Sequence, residues 1–142
     1  MSGYDEDILA WSERQGELLR RIACGERVND ADLDWPNIAE EVESVGRSEL
    51  RACEALLRQA LIHMRKISAW PASPAVPGWQ EEVIRFRQEA ADAFAPSMRQ
   101  RIDLGRLYRQ ALQRMPKQID GQPPLPVPQD CPVTLDELLA DE

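Results

Sequence analysis

Apolar residues recur along the chain at intervals of three and four, the spacing that places side chains on one face of an α-helix. The first such segment covers residues 5–23, with Asp5 as the N-cap and Gly25 near its end. We expect Tyr4 and Leu9 to pack together at the helix start as a hydrophobic staple. Gln15 lies in the middle of the apolar stripe, whose other members are Ile8, Trp11, Leu18, Leu19 and Ile22.

The second helix is the longest that the pattern predicts. It begins near Asp34 or Trp35, tolerates Pro36 in its first turn, and meets no further proline before about Ile67. We expect the first two helices to form an antiparallel hairpin in which Trp11 and Trp35 are largely buried. The apolar face of the second helix consists of Ile38, Val42, Val45, Cys53, Leu56, Ala60 and Ile67.

Proline-rich segments separate the remaining elements. The prolines in residues 68–78 predict an extended connector, and a third helix from Trp79 to about Phe94 follows it. A fourth helix ends at Pro116, and residues 117–132 should cross the surface as a proline-rich strap. Residues 134–140 have the pattern of a capped helical turn, in which Thr134 is the N-cap and Glu137 its capping-box partner.

Together these elements predict an all-α protein. Its length of 142 residues suits one domain with a single core. Residues 5–116 should form a four-helix-type bundle with a long second helix, completed by the proline-rich strap and the short capped C-terminal helix. We therefore expect residues 1–142 to be one helical domain.

Charge is unevenly distributed along the chain, whose net charge is −8. Residues 1–49 hold 13 acidic and 5 basic residues, residues 50–117 hold 6 and 12, and residues 118–142 hold 6 acidic residues and no basic one. We expect the acidic and basic segments to face each other within the fold or across a dimer. The alternative is a basic surface for an anionic partner.

The sequence also bears on the cellular location of the protein and on its need for a cofactor. The N-terminus lacks the basic and apolar regions of a signal peptide, and no stretch approaches the roughly 18 apolar residues of a membrane span. Three widely spaced cysteines and one histidine favour neither a disulfide framework nor a structural zinc. We therefore expect a cytoplasmic protein with no membrane association and no cofactor.

Several motifs resemble a family of mostly bacterial proteins known only as domain of unknown function 29. The opening Tyr4-Asp5-x-Asp7-x-x-x-Trp11-x-x-x-Gln15 and the block from Asp34 to Glu49 carry the resemblance, together with His63, Lys66, Trp79 and the closing segment from Cys131 to Leu139. The proline-rich connectors differ from the family pattern. The resemblance implies an all-helical fold and supplies no activity, cofactor or partner.

A polar stripe borders the apolar face of the second helix, where it should form buried hydrogen bonds. The hairpin register places Gln15 level with residues 41–45, so we expect Gln15 to bond to Glu41 or Ser44. Gly46 either admits a close neighbour or marks a kink. The predicted polar network consists of Gln15, Asn37, Glu41, Ser44, Ser48 and Glu49.

The sequence leaves two functions open. The preferred interpretation is a non-catalytic interaction or regulatory module that acts as a homodimer or with a protein partner. The alternative is a metal-independent ribonuclease, because Arg58 and His63 resemble the arginine–histidine signature of HEPN-type ribonucleases. We expect His63 to be buried, and the acidic net charge does not favour nucleic acid. A metal site is not expected, its only candidate ligands being Asp5, Asp7, Glu40 and Glu41.

Overall fold

A computed structural model of the protein describes residues 3–140. It contains six helices and confirms the all-α class: α1 Gly3–Glu6, α2 Ile8–Ala23, α3 Trp35–Ala69, α4 Val76–Ala93, α5 Leu104–Gln113 and α6 Leu135–Leu139. The described residues include no β-strand, and Ile119 and Gln122 form a single isolated bridge. The chain divides into an N-terminal unit that ends at Arg47 and a C-terminal unit that begins at Ser48, and α3 contributes to both. A single domain stays a prediction.

The N-terminal unit begins with two helices where one was predicted. Asp7 has a non-helical backbone, with φ −153° and ψ 88°, and its carboxylate accepts a hydrogen bond from the Ala10 amide at 3.0 Å. Asp7, not Asp5, is therefore the N-cap of the long helix α2, and α1 is a separate turn before it. Past the end of α2, Gly25 has a φ of +85°, a conformation that favours glycine.

Trp11 anchors the core of this unit, as predicted, with 8 % of its surface exposed. The Tyr4 ring packs edge-on against the Trp11 indole at 4.9 Å between centroids. The predicted staple of Tyr4 on Leu9 is therefore wrong, and Leu9 is exposed. Trp35 was also expected to be buried, but 45 % of its surface is exposed. Its indole N–H donates to the Asp30 carboxylate in the linker before α3.

The linker between α2 and α3 determines the register of the hairpin. It contains a short 3₁₀ turn, Asp30–Asp32. The carbonyl of Asp32, the last residue of this turn, accepts a hydrogen bond from the Gln15 side chain in the middle of α2. The linker thus runs back along α2 before α3 starts. The contacts then proceed in opposite directions along the chain, from Trp11 with Asp34 to Tyr4 with Glu41, which makes the hairpin antiparallel as predicted.

The C-terminal unit contains the main apolar core. Helices α3, α4, α5 and α6 and the 3₁₀ turn at Pro96–Met98 supply its buried residues. The predicted connector at residues 68–78 is shorter than expected, because α3 continues to Ala69 and α4 begins at Val76 with Pro77 in its first turn. The buried cluster consists of Cys53, Leu57, Leu61, Ile62, Ala90, Met98, Leu107, Tyr108, Ala111 and Leu138.

The proline-rich strap is bound to this core at three points. The indole N–H of buried Trp70 donates to the Gln122 carbonyl at 2.9 Å, and the Leu125 amide donates to the Ala69 carbonyl at 2.9 Å. The Tyr108 hydroxyl donates to the Pro128 carbonyl. Because proline lacks an amide N–H, these bonds use carbonyls and the few amides that the strap retains.

The C-terminal helix is capped as predicted. The Thr134 hydroxyl accepts from the Glu137 amide at 3.2 Å, and the Glu137 carboxylate accepts from the Thr134 amide at 3.3 Å. At the other end of α6, the Arg87 guanidinium of α4 donates to the carbonyls of Glu137, Leu138 and Ala140. Buried Leu138 completes the docking of the turn.

Candidate functional site

The polar network in the N-terminal unit has two centres. At the first, the Glu41 carboxylate accepts hydrogen bonds from the Tyr4 hydroxyl and from the Ser44 hydroxyl, the latter at 3.2 Å. The hydrogen bond to Glu41 raises the pKa of Tyr4 above its ordinary value, because ionisation would place two negative charges side by side. This centre holds α1 against the polar side of α3.

The second centre is Asp34, a residue absent from the predicted network. Its carboxylate accepts from the Trp11 indole N–H at 2.9 Å and from the Asn37 amide at 2.8 Å. Its backbone N–H donates to the Gln15 side-chain carbonyl at 2.9 Å. An aspartate at the predicted start of α3 was the available signal, since such residues accept hydrogen bonds at helix N-termini.

The predicted bond of Gln15 to Glu41 or Ser44 is wrong. Buried Gln15 donates to the Asp32 carbonyl at 3.2 Å and accepts from the Asp34 amide. The reason is the returning linker, which places the start of α3 beside Gln15, where residues 41–45 were expected. Of the six predicted network residues, Gln15 and Asn37 meet at Asp34, Glu41 and Ser44 meet each other, and Ser48 and Glu49 are exposed.

The polar side of α3 faces the rest of the N-terminal unit, and its apolar side faces solvent. At about 100° per residue, the apolar positions lie roughly 110° around the helix from Asn37, Glu41 and Ser44. Val42 is 69 % exposed and Val45 is 65 % exposed. The expectation that both valines are core residues is therefore wrong. We name this side the α3 apolar stripe, which consists of exposed Trp35, Val42 and Val45 and half-buried Ile38.

Gly46 lies beside this stripe, within an uninterrupted α3. Apart from its chain neighbours and the backbone of α3 itself, nothing lies within 4 Å of the position that a Cβ atom on Gly46 would take. The N-terminal unit therefore supplies no close neighbour at Gly46.

Acidic side chains also lie on a side of α3 away from the apolar stripe. Glu40 and Glu43 are exposed, and both contact Arg47, at 2.6 Å and 4.0 Å. Residues 35–47 hold three glutamates and one basic residue, Arg47. At about 100° per residue, Glu40 lies roughly 160° around the helix from Val42, and Glu43 roughly 100° from it, so these charges do not border the stripe.

Arg58 and His63 contact different helices of the C-terminal unit. The Arg58 guanidinium donates to the Gln110 side chain in α5 at 3.0 Å. Burial is the main cause that lowers the pKa of Arg58, and the positive charge of nearby Arg114 lowers it further. The His63 ring lies 5.4 Å from the Phe86 ring in α4, and its Nδ1 is 2.8 Å from the Gln59 carbonyl. His63 is half-buried, less than expected.

Three of the four metal-ligand candidates, all but Asp5, have other partners. Glu41 accepts from Tyr4 and Ser44, Glu40 pairs with Arg47, and Asp7 caps α2. Within residues 3–140, no group of three or more histidine, cysteine, aspartate or glutamate side chains is arranged to hold a metal ion. In the same range, no helix is both long and apolar enough to span a membrane.

Across residues 3–140 the fold is that of a small all-helical protein, in which one side of the first part of α3 exposes large apolar side chains. The family model described as "Domain of unknown function DUF29" matches residues 3–142, and the chain belongs to this family. The crystal structure of an alpha-helical protein of unknown function from Rhodospirillum rubrum is similar, with a TM-score of 0.66 and 28% sequence identity. The match covers 98% of this chain and 90% of that chain. No curated protein matches.

Proposed function

We propose that the protein is a non-catalytic interaction module that binds another protein through the α3 apolar stripe. The observation that carries this proposal is the exposure of Trp35, Val42 and Val45 on one side of a helix whose polar side is already used. Apolar side chains on one helix face ordinarily turn toward a core. Nothing in the N-terminal unit covers these side chains, which supports a binding role for this face.

The residue types of the stripe suit a binding surface. Complete burial of a valine side chain stabilises a contact by about 1.5–3 kcal/mol, so Val42 and Val45 together supply a substantial part of a binding energy. Tryptophan is among the residues that most often dominate interface energetics. Trp35 at one end of the stripe would then be the anchor of the interface.

We place this activity in the cytoplasm and favour a different protein over a second copy. All three cysteines, Cys24, Cys53 and Cys131, are free thiols, which suits a reducing compartment. A homodimer through the stripe would bring together two copies of the segment that holds 13 acidic and 5 basic residues. Like charges oppose that arrangement and favour a partner of opposite charge.

The test is the substitution Val42→Glu, with Ile84→Glu as the matched control. Both residues are exposed aliphatic side chains within helices, but Ile84 lies in α4, outside the stripe. Because both positions are exposed, each variant should unfold within about 0.5 kcal/mol of the wild type. Complexes formed in the native host are isolated, weighed by native mass spectrometry and reconstituted from purified components.

We expect the wild type and Ile84→Glu to form a complex of fixed stoichiometry that Val42→Glu does not form. Burial of an unpaired glutamate should weaken binding by at least about tenfold. A Val42→Glu protein that keeps the complex, or a wild type that forms none, would refute the proposed function.

The ribonuclease alternative has its own test. Arg58 and His63 contact different helices, so this activity would require a second chain to bring the two side chains together. We expect no cleavage when the wild type is incubated with a mixture of structured and single-stranded RNA. Cleavage by the wild type that His63→Ala abolishes, with an unchanged unfolding curve, would replace our proposal with the nuclease.

A further inference from the structure

We infer that a group of arginines between α3 and α5 binds a small phosphate-bearing anion. We name this group the α3–α5 arginine cluster, which consists of Arg58, Arg106, Arg114 and the amide side chain of Gln110. The cluster belongs wholly to the C-terminal unit, and the inference does not depend on the α3 apolar stripe. It is carried by an excess of positive charge and by a set of hydrogen-bond donors that lack acceptors.

Two hydrogen bonds join the facing sides of α3 and α5. Arg58 of α3 donates to the Gln110 side chain at 3.0 Å, and Arg106 of α5 donates to the Glu54 carboxylate of α3 at 2.6 Å. The partners on each helix are four residues apart, so the two bonds lie about one turn from each other. Exposed Arg114 follows Gln110 by a further turn and lies roughly 40° around α5 from it. These side chains therefore share one edge of the contact between the two helices.

The cluster holds more positive charge than its surroundings neutralise. Burial lowers the pKa of Arg58, and the positive charges of Arg114 and Arg106 lower it further. The Glu54 carboxylate acts in the opposite direction, but it is already paired with Arg106. Within residues 3–140, neither Arg58 nor Arg114 forms an ion pair. Asp103 caps the other end of α5, about 16 Å along the helix from Arg114. Three arginines and one glutamate thus leave two positive charges in excess, and a bound anion would relieve their repulsion.

The polar groups that the cluster leaves unused are donors. Because a guanidinium has no acceptor, the side-chain oxygen of Gln110 must face Arg58. No residue of the described range accepts from the Gln110 amide N–H group or from the Arg114 side chain. Of the unpartnered nitrogens in Arg58, Arg106 and Gln110, only the Arg58 Nε is buried, so the others reach solvent. An anion, whose oxygens accept hydrogen bonds, complements such a surface.

Charge and size favour a small phosphate over other anions. A phosphate monoester carries about −1.5 to −2 charges at pH 7, which matches the excess, whereas a carboxylate carries one. The planar fork of arginine binds phosphate oxygens in bidentate geometry. From Arg106 to Arg114 the cluster extends about 12 Å along α5, room for one phosphate and a small attached group. The chain's net charge of −8 repels polyanions such as RNA and anionic membranes.

The experiment titrates the intact protein with inorganic phosphate and follows it by NMR. The side-chain N–H signals of Gln110 and of the arginines report binding directly, and sodium chloride of equal ionic strength is the reference. The variants are Arg58→Gln, Arg114→Gln and Glu54→Gln. Arg14→Gln is the control, because it removes the same charge at an exposed position of α2 in the N-terminal unit. Circular dichroism checks folding, and the Arg114 variant serves if Arg58→Gln does not fold.

We expect the Gln110 amide signals to shift saturably, with a Kd of about 1–10 mM for phosphate. Arg58→Gln and Arg114→Gln should weaken binding by at least about fivefold, and Arg14→Gln by less than about twofold. Glu54→Gln should tighten binding by at least about threefold, because it removes the carboxylate that competes with the anion for Arg106. A purely structural role of the cluster predicts no such gain.

Glycerol phosphate, a single-stranded RNA and vesicles of phosphatidylcholine with phosphatidic acid distinguish the sources of the phosphate group. Glycerol phosphate should bind within about threefold of inorganic phosphate, and the RNA and the vesicles should bind no more tightly. Arg114-dependent binding of RNA or vesicles at least about tenfold tighter than glycerol phosphate would make a macromolecule the occupant and overturn the inference. The absence of a saturable shift below about 50 mM phosphate, or binding that Arg114→Gln leaves unchanged, would show that the cluster is not an anion site.

Discussion

Replacement of Gln15 tests whether one buried amide holds the linker against α2. In Gln15→Leu the side chain keeps similar bulk and loses both hydrogen bonds, to the Asp32 carbonyl and from the Asp34 amide. Each lost hydrogen bond costs about 1 kcal/mol, and a buried group left unsatisfied costs about 1–3 kcal/mol. Asp32 is exposed and its carbonyl is open to water, whereas Asp34 is half-buried. We therefore expect a loss of about 2–3 kcal/mol.

Two measurements test this expected loss of stability. Urea denaturation monitored by circular dichroism gives the free energy of unfolding, and hydrogen exchange reports on the Asp34 amide itself. A loss of about 2–3 kcal/mol corresponds to about 30- to 150-fold faster exchange of that amide if local opening governs it. The control is Gln88→Leu, the same change at an exposed position of α4, which should alter stability by less than about 0.5 kcal/mol. Unchanged Asp34 exchange in Gln15→Leu would refute the reasoning.

Three further predictions concern the core, the C-terminal cap and pH. Trp11→Ala should lower the free energy of unfolding in urea by about 3–5 kcal/mol, because it leaves a cavity in the core and removes the hydrogen bond from the indole to Asp34. A loss under about 1 kcal/mol would contradict the anchoring role of Trp11. Thr134→Ala should lose about 0.5–2 kcal/mol, and no loss would show that the cap is dispensable. Burial raises the pKa of Tyr108, so the contribution of its protonated hydroxyl to the free energy of unfolding is complete below about pH 10 and declines as pH rises through the raised pKa. The stability difference between wild type and Tyr108→Phe should therefore shrink above about pH 10, and a constant difference would contradict this.

The local patterns in the sequence predicted most of the helices. The period of the apolar residues and the absence of proline between Pro36 and Ile67 predicted α3. The C-terminal end was correct to within about two residues, which is the usual precision of helix boundaries. The capping box of Thr134 and Glu137 predicted the start of α6. Such features depend on residues within one or two turns of each other, so they are visible in the sequence itself.

The direction in which α3 faces was decided only by the tertiary structure. The sequence shows two adjacent stripes, and the hydrophobic effect by itself assigns Val42 and Val45 to the core. Instead, the returning linker positions α1 and α2 so that Tyr4 meets Glu41 and Trp11 meets Asp34. These contacts depend on the path of the eleven linker residues 24–34, which no periodicity encodes. The sequence thus determined the helices and their two stripes, whereas packing between distant segments decided which stripe is covered and which is left open for a partner.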